Sequence, residues 1–197
     1  MWFAIPRIRP AIDIALEEIS KHHQLINGTQ LGVKYADSKC HISEAINQAF
    51  TFYMQKEVNV FFGPCCDYAA APIARQIRYW NLPMVTAGAM AGDFGLLKLS
   101  TYPLLTRVGP DFNSLARFVF SVMDYYEWHK VKLVYQPFGQ EAVIEKFCHL
   151  AADGIHRAIL EKQILGYPIE QDYFKFMKAA DFSEKMPSEL GNEFSSK

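Results

Sequence analysis

Residues 58–88 read VNVFFGPCCDYAAAPIARQIRYWNLPMVTAG. Two short apolar runs flank a segment long enough for three to four helical turns. Neither run alternates polar with apolar. Continuous apolar strands of this kind are buried on both faces of a parallel sheet. Two parallel strands joined through a helix form a right-handed crossover, so this stretch alone restricts the chain to an α/β architecture.

The same alternation extends in both directions. Residues 11–23 place Ile12, Ala15, Leu16 and Ile19 at helical spacing after Pro10, with Glu17 four before Lys21. A turn at Asn27-Gly28 precedes a predicted strand at 31–36 and a helix at 43–56. Strands are predicted at 58–62, 82–88 and 131–135, and a short one at 163–168. Helices are predicted at 69–80, 111–128 and 140–162. After Pro168 only 172–180 has helical character, and the tail 181–197 reads as polar, aperiodic and loose. The expected fold is therefore a parallel sheet flanked by helices. The pattern opens on a helix, so a first strand is either missing or confined to MWFAI.

Composition narrows the function. Half of the 197 residues are hydrophobic, enough for a sizeable core, and the formal net charge is −1. That balance gives no electrostatic case for nucleic acid or an anionic membrane surface. No apolar run approaches the roughly 20 residues of a membrane helix. The first residues do not form a signal peptide, since Arg7, Pro10 and Asp13 interrupt them.

Catalytic and metal chemistry find little purchase. Cys66 at a helix start would have a lowered pKa, but no histidine can be assigned to it as base. GAMAGDFG, residues 88–95, is neither a dinucleotide fingerprint nor a phosphate loop. His149 and His156 are seven apart on one helix, wider than usual metal-ligand spacing. No catalytic residue, metal ligand or organic cofactor is assigned. Asn27-Gly28-Thr29 is a glycosylation sequon at Asn27.

The strand end at Gly63-Pro64 leaves backbone N–H groups of the next helix free for an anion, for Asp67 or for water. Cys40 follows the predicted strand 31–36 at the same sheet edge as Cys66. The two meet there either as a disulfide or as two reduced, buried thiols.

A family resemblance adds to this. FAIPRIRPAIDIALEEI, YADSKC, GPCCDYAAAPIARQIRYWNLPMVTAGAMAGDF, LLTRVGP and WHKVKLVY occur in this order. They resemble the extracellular ligand-binding region of natriuretic peptide receptors and related receptor guanylate cyclases, over roughly residues 3 to 165. The resemblance implies the type I periplasmic-binding-protein-like fold, with residues 1–128 as a nearly complete first lobe lacking its opening strand. Residues 129–180 would be a truncated second lobe. It implies a Cys40–Cys66 disulfide, and a chloride ion held by Ser38 and the backbone at Cys65 and Cys66. Peptide contacts map to Tyr68 and Arg75. Ile42 stands where some members carry an acidic contact residue. Cys148 resembles the first cysteine of a second-lobe disulfide.

The function expected from this resemblance is a peptide-hormone receptor ectodomain on the cell surface, for signalling or peptide clearance. It would be a homodimer in the full receptor, without enzymatic activity of its own. The membrane would be reached only through a segment outside this chain. Because such a pocket is shared between lobes and protomers, this portion alone is expected to bind peptide poorly. The rival reading is the sensor portion of a membrane guanylate cyclase. A soluble small-molecule binding protein shares the fold but not the GPxCxYAAAP run.

Overall fold

A computed structural model describes residues 4–21 and 31–191. Helix α1 (Ile5–Lys21) turns Ile5, Ile8, Ile12, Leu16 and Ile19 inward at helical spacing, and all five remain only half-buried. It begins a turn and a half before Pro10, which lies inside it rather than at its start. Helix α2 (Ile42–Met54) follows. Strands β1 (Phe61–Phe62), β2 (Met84–Thr86) and β3 (Leu105–Arg107) form a parallel sheet in that order, Phe61 opposite Met84 and Met84 opposite Leu105. Helix α3 (Asp67–Trp80) is the crossover from β1 to β2 that the apolar runs predict.

Helix α3 explains why this part of the chain holds together. Ala69, Ala70, Ile73, Ala74 and Ile77 are at most 4% exposed and lie on one face. Their small side chains join Ala45 and Ala49 of α2 in one core with Met84, Phe94, Tyr102 and Leu105. At the far end Trp80 closes the layer. It stacks on Tyr53 at 4.4 Å and meets Phe50 edge-on at 4.9 Å.

A short helix α4 (Asp93–Leu96) lies between β2 and β3. Helix α5 (Phe112–Tyr125) starts at Asp111, whose carboxylate accepts the Ser114 N–H as an N-cap. It leads to a second parallel pair, β4 (Lys130–Tyr135) with β5 (Glu170–Lys175), joined by helix α6 (Phe147–Ile164). Helix α7 (Ala179–Leu190) ends the described chain. Ala116, Phe120 and Met123 of α5 pack with Ile159 and Ile169 in a second core. No helix among the described residues is long and apolar enough to cross a membrane.

Several expectations need correction. Residues 31–36 join no strand ladder, although Lys34 pairs with Glu57 and Arg9 lies over the Tyr35 ring. The strand at 58–62 shrinks to Phe61–Phe62. Residues 140–146 form turns, so the long helix begins only at Phe147. The strand expected at 163–168 lies instead at 170–175, part of the segment expected to be helical. There Phe174 is buried and the partner strand β4 supplies the hydrogen bonds. The tail expected to be loose from 181 is helical through 190, and the Asp181 carboxylate accepts the Lys178 N–H at its start.

Candidate functional site

The burial of Ala70, Ile73, Ala74 and Ile77 leaves a second face of α3 free. Tyr68, Ala71, Pro72 and Arg75 recur at i, i+3, i+4 and i+7 and line one wall of a cleft of about 830 Å³. Ile42, at the start of α2, lies at its edge. Arg75 is exposed and sits over the Tyr102 ring at 5.5 Å.

The floor is the loop after β2. Thr86 Oγ1 donates to Pro64 O and accepts from Gly88 N–H, tying that loop to the turn after β1. Gly88 passes so close to Cys65 that a Cβ would overlap its carbonyl oxygen, so only glycine fits. Asp67 is 4% exposed, and its Oδ1 accepts the Ala91 N–H at 2.7 Å. Burial pushes its carboxyl above the usual range, against that hydrogen bond and the nearby Arg107 charge. Arg107 donates to the Ala89 and Ala91 carbonyls. These bonds hold the loop 88–95 against α3.

The opposite wall comes from α5 and α6. It includes Asn113, Arg117 and Phe120 from α5, and His149, Asp153, Arg157, Glu161 and Lys162 from α6. Arg157 pairs with Asp93 of α4 and with Asp153 one turn back, both at 2.9 Å, and so bridges the cleft. Lys146 lies over the Tyr68 ring at 5.1 Å.

The motif residues fall as follows. Cys40 and Cys66 form a disulfide with their Cα atoms 5.6 Å apart. Cys66 is also the N-cap of α3, and its own side chain makes no capping hydrogen bond. Ser38 lies beside this turn, its Oγ 3.4 Å from the Cys40 N–H. Cys65 is a free thiol beside Thr86 and the Ala87 backbone, and burial pushes its pKa up. Cys148 is free and half-buried at the start of α6. Asn27 lies outside the described residues. His149 lines the cleft, while His156 is hydrogen-bonded to Gln171 at 2.6 Å, so the structure does not bring the two together as ligands. The residues missed from sequence are Asp67 as a loop holder and Arg117, Arg157 and Lys162. Their signal was faint: an arginine or lysine on an amphipathic helix reads as a solvated face.

Helices thus flank two parallel sheets, and the cleft lies between the α3 side and the α5–α6 side. The family described as Receptor family ligand binding region matches residues 7–156, and the chain belongs to it. It is 32% identical to human Atrial natriuretic peptide receptor 3 over 171 residues, which is 81% of this chain and 30% of that protein. It is 25% identical over 195 residues to Atrial natriuretic peptide receptor 2 of Anguilla japonica, covering 96% of this chain and 18% of the other. Rattus norvegicus Atrial natriuretic peptide receptor 2 is 31% identical over 126 residues, 64% of this chain and 12% of that receptor. The chain thus spans less than a third of the length of these relatives.

Proposed function

We propose that this chain is part of the ligand-binding ectodomain of a peptide-hormone receptor on the cell surface, and that its cleft receives a natriuretic-type peptide. The observation that carries this reading is the wall of α3. Tyr68 and Arg75 share one helical face and look into the same cleft, with Ile42 at its edge. A tyrosine offers a flat amphipathic surface and an arginine a fixed fork of donors, the two residue types most used to hold peptides. Between the receptor and the cyclase-sensor readings, the relatives' names support the receptor. In this reading two copies enclose one peptide. The test is binding of labelled atrial natriuretic peptide to cells expressing the complete coding sequence. Saturable binding that falls about tenfold or more in Arg75→Ala supports the reading, and no saturable binding overturns it.

The same reading includes a chloride ion at Ser38 and the backbone of Cys65 and Cys66. Three features support it. Cys66 makes no side-chain cap at the start of α3, the Ser38 hydroxyl sits at the N–H of its disulfide partner Cys40, and the Asp67 carboxylate meets the Ala91 N–H and its own N–H, neither of them a proposed chloride donor. The ion would stabilise the folded chain by mass action. Melting in chloride against a non-coordinating anion at equal ionic strength should show a chloride-specific rise that Ser38→Ala removes. Identical curves would dismiss the ion.

A further inference from the structure

Four cations and four carboxylates line the cleft, but they are unevenly engaged. Arg157 spends its charge on Asp93 and Asp153. Asp67 is enclosed below the surface. The remaining cations are Arg75 on α3, Arg117 on α5 and Lys162 on α6, and among the described residues none of the three is in an ion pair. Arg117 donates only to the Ser114 hydroxyl. Arg75 rests on the Tyr102 ring, and Lys162 lies between the Tyr167 ring at 4.0 Å and the Phe120 ring at 5.4 Å; such rings orient a cation without neutralising it. Against these three charges stand Glu161, outside any ion pair, and the one negative charge that Arg157 leaves uncancelled on Asp93 and Asp153.

Three helices from both sides of the cleft thus present unspent positive charge to one space, over apolar rings. We propose that Arg117 and Lys162, together with Arg75, form a subsite for a carboxylate of the bound peptide, and that Arg117 and Lys162 are specificity-determining residues. This rests on the peptide-receptor reading above. A carboxylate there gains charge-assisted hydrogen bonds from a guanidinium fork, in a recess that excludes part of the solvent. A peptide without an acid at that place leaves like charges facing one another.

The experiment compares atrial natriuretic peptide with the same peptide after amidation of every carboxyl group, on cells expressing the complete coding sequence. The native peptide is expected to bind at least tenfold more tightly. In Arg117→Gln/Lys162→Gln that preference is expected to vanish, because the native peptide weakens while the amidated one does not. Both residues lie at the surface of their helices, so surface expression should be unchanged. Equal affinities of the two peptides for the unaltered receptor overturn the subsite while leaving peptide binding intact. If neither peptide binds, a second arm decides. Hexaglutamate and hexalysine are titrated into the 197-residue chain and followed by NMR. Shifts at Arg117 and Lys162 with hexaglutamate only sustain the anionic subsite and discard the natriuretic ligand. No shift discards the subsite as well.

Discussion

Cys66 is both the N-cap of α3 and one half of the disulfide to Cys40, so breaking the bond frees a loop and a helix start together. With the cysteines 26 positions apart in sequence, the chain-entropy account gives the bond about 3.5 kcal/mol. Cys40→Ala/Cys66→Ala should therefore lower Tm by about 7–14 °C for a domain of this size, measured by calorimetry without reductant. A shift under about 2 °C would mean the bond is not formed in solution. Asp67 gives a pH test. Its folded pKa is raised by burial, above the unfolded value. The stability this contributes is present below the unfolded pKa and is lost as pH rises through the folded pKa. Asp67→Asn removes that titration. The variant should gain on the parent as pH rises from acid to neutral, read from urea midpoints at each pH. A constant gap would show that the carboxyl titrates alike in both states. At this scale the sequence was partly legible. The GPxCxYAAAP run pointed to Cys66, Tyr68 and Arg75. It gave no sign that Asp67 would reach Ala91, because that contact spans 24 residues of chain.

Helices with one strongly apolar face were readable, and α2, α3 and α5 lie where their periodicity places them. The strands were less so. Residues 31–36 alternate Leu31, Val33 and Tyr35 as a half-buried strand would, yet no strand among the described residues offers them a ladder. Residues 170–175 lack that alternation and form β5 because β4 lies alongside over six residues. Partner strands overrode local pattern in both directions. Helix α7 was illegible because its attachment is polar. The Lys132 side chain, 6% exposed on β4, pairs with Asp172 on β5 and Glu189 on α7, both at 2.8 Å. Its pKa is raised by these partners, and Lys132 holds the Asp172 carboxyl below its usual value. A depressed folded pKa contributes stability above the unfolded value that is lost as pH falls through the folded one. Protection factors of the β5 amides, with the intrinsic exchange rate divided out, should therefore fall in acid as Asp172 is protonated. Lys132→Met should lower the protection of 179–190 at neutral pH, because the Glu189 pair is lost, and should abolish the acid dependence at β5, whose ladder amides stay protected. Unchanged protection of α7 in the variant would show that the helix is held by other contacts.

The cleft exists because α6 lies close to α5 and bridges to α4. One glycine permits that approach. Gly154 sits in the middle of α6, where glycine costs about 1 kcal/mol relative to alanine. Propensity alone would make Gly154→Ala stabilising. A Cβ there would lie 2.8 Å from the Cβ of Phe112, the first residue of α5, and 3.7 Å from its carbonyl oxygen. The conflict is thus with Cβ and backbone rather than with the tip of a side chain. Two helices must separate by a few tenths of an ångström, and the Phe112–Phe147 ring contact at 5.5 Å and the Arg157–Asp93 pair must move with them. Gly154→Ala is therefore expected to be net destabilising by about 1–3 kcal/mol, the usual cost of overpacking. The cost should be the same in a Phe112→Ala background, since alanine keeps the Cβ, and should fall in Phe112→Gly. Urea unfolding of the parent and of Gly154→Ala, each with Phe112 unchanged, Phe112→Ala or Phe112→Gly, measures this as two double-mutant cycles. Relief by Phe112→Ala would assign the conflict to the ring and leave the helix spacing unexplained. A stabilised Gly154→Ala would mean that α6 is free to move, and that the cleft between the two sheets is wider in solution than α5 and α6 hold it here.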